Sequence, residues 1–429
     1  MIYKIEEWIR KGGRATLLAT PLLFASLVSQ AATTSSNNEA EGFQCPDFPE
    51  ATISLSYGSR YKDDSKSRSE LDKEANAAVN KALGPSDKFI QILARLADKA
   101  QKKTSQREDI VRCAIGAIHH WAEADSFSEI DSLTANLSYA SRVGGIAIAY
   151  AQFKALIPQE QEEPTDEVTS VGQLQLLEET DPQDAEEETK KASAEASGDL
   201  NESESQAKKN TVQLPEEYRE DTKTIEHWLA GLGDSIIHFW ETDGPPMASK
   251  NNLRAWAALA IIQIGLTVEN EDFIEWGLES HRVILDTIEP DGSLPMEMRR
   301  GRYALHYQLH AVAPMVTATA MLQEADKRNS QIYMDRLMMA AKFSLRAIEK
   351  PELVEEKTDK PQTVKSGLLE QKKYQIAWLE PLLALEENPQ LDATINDLRP
   401  LRNSKLGGNM TFRFHDSKND KQDFGENDQ

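Results

Sequence analysis

DGSLPMEMRRGRYALHYQ, residues 291–308, is the stretch on which the rest of the chain depends. Asp291-Gly292-Ser293 forms a turn. Met296, Met298, Tyr303, Leu305 and Leu309 then recur at the spacing of a buried helix. The polar positions are the unusual ones. Arg299, Arg300 and Arg302 are followed at once by Tyr303, His306, Tyr307 and His310. In one continuous helix Arg300 and Tyr307, two turns apart, point the same way, and Tyr307 and His310 share a face. A phenol with a guanidinium above it and an imidazole below can bind an anion. It can also move protons, because a neighbouring cation lowers a phenol's pKa from its usual ~10. By themselves, an Arg-rich helix start is more often a solvated face and a Tyr at helical spacing more often core.

The pattern around this stretch is helical. Phe89, Leu93, Leu96 and Ala97 recur at helix spacing, as do Ile110, Cys113, Ala114, Ala117 and Trp121. Ser138 to Leu156 is small and apolar on several sides, with Gly144 and Gly145 suited to close helix pairing. Helices resume at Ile225 and run through Ile237-His238-Phe239-Trp240. After the turn Thr242–Pro246, Asn251 or Asn252 caps the next helix. Asn252 and Trp256 are one turn apart, which leaves an amide and an aromatic face available to a sugar. Ala318 to Gln323 and Tyr333 to Arg346 give two more helices, and Tyr374-Gln375-Ile376 starts the last one. Lys405 precedes the Gly407-Gly408 turn. No run alternates as a β-strand does, so the fold class is all-α.

At 429 residues the chain can bury one large core or two ordinary ones. Residues 1–32 read as a secretory signal: a basic end, the apolar stretch Ala15 to Val28, then small residues for cleavage. An uncleaved anchor is the other reading; no other stretch is long and apolar enough to cross a bilayer. Residues 33–157 form the first helical part and 222–415 the second. Between them, 158–221 holds about twenty acidic residues against about five basic ones, the composition of a disordered insertion. Residues 416–429 read as a disordered tail. The net charge of −23 argues against nucleic acid. Without the insertion the folded part is only mildly acidic, so an acidic polysaccharide stays possible as a ligand. Export makes a disulfide the default for Cys45 and Cys113, the alternative being two separate buried thiols. Two cysteines without a partnering histidine cluster make no metal site.

The polar loop Ser59–Arg68 is dense in cations and carries Tyr61; such a loop is either plainly solvated or a lid over an anion site. Taken with it, six blocks in order resemble the periplasmic alginate lyases, the poly(β-D-mannuronate) lyases. They are Ser59-Arg60-Tyr61 with Arg68, the helix around Cys113 and Trp121, Asn251-Asn252 with Trp256, Leu294-Pro295 through Tyr307, Ala377–Pro381, and Leu406-Gly407-Gly408. They span nearly the whole chain outside the leader and the insertion. The resemblance implies an incomplete (α/α) toroid of antiparallel helix pairs with one deep cleft. It implies cleavage of alginate by β-elimination, with no metal or cofactor, by a periplasmic monomer.

The resemblance also carries roles. Asn252 and Arg300 match the positions that neutralise the uronate carboxylate, without which the C5 proton is not acidic. Tyr307 matches the catalytic tyrosine. Arg60, Tyr61, Arg68, Trp256, His310 and Lys405 fall where cations and aromatic faces meet the sugar chain. One departure is large: the family reads Asn-Asn-His where this chain reads Asn251-Asn252-Leu253, and Leu253 can neither accept a proton nor donate a hydrogen bond. Arg60 replaces a lysine, and His310 replaces a tyrosine. Three readings follow. Tyr307 acts as base and then acid, its pKa lowered by Arg300 and a protonated His310. Or specificity has moved to another polyuronate, with His306 or His310 supplying part of the missing function. Or the protein is inactive and binds polymer, or serves as a scaffold in periplasmic polysaccharide export. A glycoside hydrolase is more distant, since it needs two opposed carboxylates and only Glu297 and Asp291 lie near the motif.

Overall fold

A computed structural model describes residues 42–157 (except 66 and 103), 215–327 and 331–416. The leader, most of the acidic insertion and the tail from residue 417 lie outside the described residues. The compact unit begins at Phe43. Its first helices are α1 (Lys73–Ala100), α2 (Arg107–Glu123), the short α3 (Leu133–Asn136) and α4 (Ala140–Lys154). Then come α5 (Glu216–Thr242), α6 (Asn252–Val268) and α7 (Glu271–Leu285). The quoted stretch supplies α8 (Pro295–Met298) and α9 (Ala304–Glu324), followed by α10 (Gln331–Glu349) and α11 (Glu352–Thr358). Three short helices close the series: α12 (Lys373–Ile376), α13 (Leu379–Leu385) and α14 (Pro389–Ile395). Turns of a few residues link neighbours such as α6 and α7, so these run antiparallel as helical hairpins. Among the described residues strand is confined to two-residue pairs: β1 (Ser54–Leu55) beside β2 (Glu129–Ile130), and β3 (Arg402–Asn403) beside β4 (Gly408–Asn409).

Two apolar clusters form the core, and helices α6 and α9 are buried nearly all round. That burial explains their composition. Both are rich in Ala and larger apolar residues without a polar face, the mark of a central helix. Among the described residues no helix is long and apolar enough to cross a membrane. Gly144 lets α4 approach α6: a Cβ there would sit 3.2 Å from Ala260 Cα. Its neighbour Gly145 does the same for the C-terminal segment, where a Cβ would meet Lys405 Cα at 3.4 Å. The glycine pair therefore sets where Lys405 can stand. The Cys45–Cys113 disulfide is formed and bridges 68 residues. It ties the segment before β1 to α2, and closing a loop of that length contributes roughly 4 kcal/mol in the chain-entropy picture.

Several boundaries differ from the sequence reading. The helix expected to run unbroken through residue 309 stops at Met298 and restarts at Ala304, with a single 3₁₀ turn between. Gly301, at φ +55°, makes the break. Residues 318–323 are the end of α9 rather than a helix of their own. The segment from Tyr374 gives three short helices instead of one. Residues 216–221, counted with the insertion, are the first turns of α5.

Candidate active site

The break at Gly301 gives Arg300 its position. Its side chain turns back over the start of α9, and the guanidinium carbon lies 3.6 Å from the centre of the Tyr307 ring. So the two residues do meet, although no continuous helix aligns them. The same guanidinium lies 5.4 Å from the ring of Tyr61 and donates to the backbone oxygens of Ser67 (3.1 Å) and Arg68 (3.0 Å). Arg300 thus fastens the loop 59–72 over the cleft. That loop is also closed on itself by a bridge between Tyr61 and Leu71. The phenols of Tyr61 and Tyr307 are hydrogen-bonded to each other.

Asn251 caps α6, its side chain accepting from the Leu253 N–H at 2.8 Å. This leaves Asn252 for other work. Asn252 is buried, and its amide nitrogen donates to both carboxylate oxygens of Glu297, at 3.1 and 3.0 Å, while its backbone N–H donates to one of them at 2.6 Å. The donor that a uronate carboxylate would need is therefore turned to Glu297. Burial raises the Glu297 carboxyl to about 7, against the opposing pull of the Asn252 donors and Arg300.

His310 owes its place to a proline. Pro314 lies inside α9 and has no N–H for the carbonyl four residues earlier, which belongs to His310. The indole N–H of Trp256 fills the gap, 3.0 Å from His310 O and 2.5 Å from His310 Nδ1. With Nδ1 accepting, the ring proton sits on Nε2. Burial, helped by His306, Lys405, Arg142 and Arg300, holds His310 well below the usual imidazole pKa. Trp256 is only 5 % exposed, so it orients His310 more than it offers a stacking face.

Two expectations about Tyr307 are overturned. Burial raises its pKa above the ordinary 10.0, outweighing Arg300, and the Tyr61 phenol pushes the same way. The cation expected from His310 is also missing, because that ring is neutral. His306 is the more available imidazole. Its ring centre is 5.1 Å from that of Tyr307, and no hydrogen bond involves it among the described residues. Burial, and next Arg300, lower its pKa, so it is an unprotonated base at neutral pH.

These side chains share a cleft of about 510 Å³ lined by Arg60, Tyr61, Arg68, Asn252, Leu253, Trp256, Arg300, His306, Tyr307, His310 and Lys405. An adjoining hollow of about 470 Å³ shares Trp256, His306, His310 and Lys405 and adds Arg95, Tyr374 and Arg402. Every site residue expected from the sequence is therefore brought to one place. Sequence reasoning missed Arg142 and Asp87, which also line the cleft and pair in a two-pronged ion pair at 2.9 and 3.0 Å. The signal was present: Arg142 is the sole charge in the small, apolar run 140–153. It missed too the clasp of Glu297 on Asn252. No three or more His, Cys, Asp or Glu side chains gather to hold a metal ion among the described residues.

Lys405 stands in the cleft wall without an ion pair among the described residues. Enclosure by protein, then Arg142, and to a lesser degree Arg60, lower its pKa to about 7, while Asp87 works against them. The linkage has a definite sign. An unfolded lysine holds its proton up to the ordinary 10.5, so the fold carries the full penalty below about 7 and sheds it as pH rises toward 10.5. Lys405→Met should thus be the more stable protein at pH 6, by a few kcal/mol at about 1.4 kcal/mol per tenfold in proton affinity. Denaturant midpoints of the two proteins should converge by pH 10; parallel curves would contradict this account.

The family model described as "Alginate lyase" matches residues 198–354, which include α5 to α10 and the Arg300–Tyr307 stretch. An alginate lyase of Pseudomonas aeruginosa is 30% identical over 200 residues, covering 46% of this chain and 53% of that protein. An alginate lyase of Cobetia marina is 27% identical over 208 residues, covering 48% and 54%. The chain spans about half the length of the curated relatives it matches. The crystal structure of alginate lyase A1-III from Sphingomonas species A1 superposes over 87% of this chain and 88% of that one, with TM-score 0.57 and 17% identity. A histidine-to-alanine variant of A1-III complexed with tetrasaccharide gives TM-score 0.59 over 87% of each chain. This likeness identifies the helical hairpins as an (α/α) toroid. Over residues 198–354 the chain is thus similar in sequence to alginate lyases, and it shares their fold.

Proposed function

We propose that the protein is a polysaccharide lyase that cleaves alginate, with preference for polymannuronate, by β-elimination. The observation that carries this reading is the meeting of Arg300, Tyr307 and the unprotonated His306 in one cation-lined cleft. Its motif residues lie within the segment matched by the alginate lyase model. The uronate carboxylate pairs with Arg300, aided by Lys405 and the Nε2–H of His310. Neutralised, it makes the adjacent C5 proton removable, and electrostatic stabilisation of the enolate-like state is the largest contribution. His306 accepts the C5 proton. The electron pair forms the C4–C5 double bond, the C4–O4 bond breaks, and Tyr307 protonates O4. In mannuronate the proton and O4 lie on one side of the ring, so acid and base on one helix suffice. Proton return from His306 to the Tyr307 phenolate restores both groups. Asn252, clasped by Glu297, shapes the sugar site.

This assignment follows from protonation states. A phenol raised by burial is a competent acid and a poor base, and a bound uronate would raise it further. His306 thereby takes up the function that Leu253 cannot supply. The disulfide fits an oxidising compartment, and we place the protein in the periplasm.

The test is ultraviolet absorbance from the new conjugated double bond, on polymannuronate, polyguluronate and a non-alginate polyuronate. Absorbance should rise fastest on polymannuronate. The ratio kcat/KM, which reports the free enzyme, should fall on the acid side as His306 takes a proton. It should fall on the alkaline side, from about pH 7, as Lys405 loses its charge. Lys405→Arg should remove the alkaline fall. Silence on all three polymers would overturn the enzymatic reading.

A further inference from the structure

The tract Arg299-Arg300-Gly301-Arg302 carries three cations, and the cleft uses only one of them. The turn at Gly301 sends Arg299 and Arg302 the other way, to an exposed groove between the lid loop and α11. Lys62, Lys357 and Lys360 complete its cationic lining. Lys62 pairs with Glu70 at 3.3 Å, and Lys357 with Asp291 at 2.8 Å. Arg299, Arg302 and Lys360 have no carboxylate within ion-pair distance among the described residues. Three unpaired cations in one groove stand out in a chain of net charge −23.

The groove is braced. The Gln362 side chain donates to Gly301 O at 3.1 Å and to Lys360 O at 2.8 Å, and accepts from Leu305 N at 3.0 Å. Thr363 N donates to Arg302 O at 3.0 Å. Groove and cleft are back to back: Arg300 lines the cleft and holds the oxygen of Ser67, which lines the groove.

We propose that this groove is a second binding site for anionic polysaccharide, holding a length of the chain whose other part lies in the cleft. The proposal rests on the polyuronate reading above. A carboxylate on every unit suits a row of unpaired cations. A chain held at two points binds more tightly than either point alone, by effective concentration. Neither Arg299, Arg302 nor Lys360 touches the reacting groups, so the groove acts on capture and not on chemistry.

The experiment compares wild type with Arg299→Ser/Arg302→Ser/Lys360→Ser on long polymannuronate and on tetramannuronate, which the cleft alone can hold. The variant should raise KM for the polymer about tenfold, as three exposed ion pairs of modest strength allow, with kcat unchanged. Its constants on the tetramer should equal those of wild type, and added salt should erase the polymer difference. An unchanged KM on polymer overturns the proposal. Equal loss on polymer and tetramer also overturns it, because the groove would then be acting through the lid. Direct binding to immobilised polymannuronate separates this from the catalytic reading. If neither protein turns over but the variant binds polymer more weakly, the groove stands while the lyase falls. Equal weakening toward a single-stranded oligodeoxynucleotide would reduce the groove to a general polyanion patch and overturn the assignment.

Discussion

Tyr307→Phe is expected to lower kcat on polymannuronate by about 10³-fold, within the ~10²–10⁴ range that a positioned acid or base supplies. Little change in KM should accompany it. The phenyl ring would still lie under the Arg300 guanidinium, so the carboxylate contact and the lid are retained. What is lost is the proton for O4, together with the bond to the Tyr61 hydroxyl. Tyr61 lines the same cleft and could protonate O4 weakly, which sets a floor to the loss. Measured beside it, His306→Gln should cost about 10²-fold and abolish the acid-side fall of kcat/KM. If His306→Gln keeps both rate and pH profile, Tyr307 must serve as base as well as acid. If Tyr307→Phe keeps its rate, proton delivery to O4 lies elsewhere and the mechanism fails. Far-ultraviolet circular dichroism would confirm that both variants fold.

The helical class could be read from the sequence because apolar periodicity is local, and α1 and α10 carry it over several turns. The site residues could be named for a different reason: they sit in blocks whose order and spacing resemble a family. The electrostatics could not be read. Tyr307 beside Arg300 suggests a lowered pKa on paper, since a sequence lists the neighbour but not the water lost. Burial wins here, and it is set by packing contributed from the lid, more than two hundred residues away. His310 gives the same lesson. A histidine in an Arg-rich tract reads as a cation, whereas Pro314 and Trp256 together fix a neutral tautomer. The break at Gly301 was missed because a single glycine inside a helical pattern is commonly tolerated. Its left-handed backbone divides the arginine tract between cleft and groove.

Arg300→Lys is expected to be almost as damaging as Arg300→Ala, each lowering kcat/KM by about 10²–10³-fold, the scale of losing a fixed electrostatic donor. One guanidinium does three things at once. It lies over the ring of Tyr307, it holds the carbonyls of Ser67 and Arg68, and it lines the cleft proposed to take the uronate carboxylate. A planar group with five donors can do these together; an ammonium on a flexible stem can meet one or two. Lysine would keep the charge but loosen the lid, so KM should rise along with the fall in kcat. The lid's part can be separated by limited proteolysis, since a loop freed from Arg300 should be cut within Lys62–Arg68 faster than in wild type. A lysine variant within threefold of wild type, with an uncut lid, would mean that charge alone matters at this position. In that case the stacking of Arg300 on Tyr307 would be packing and no part of the chemistry.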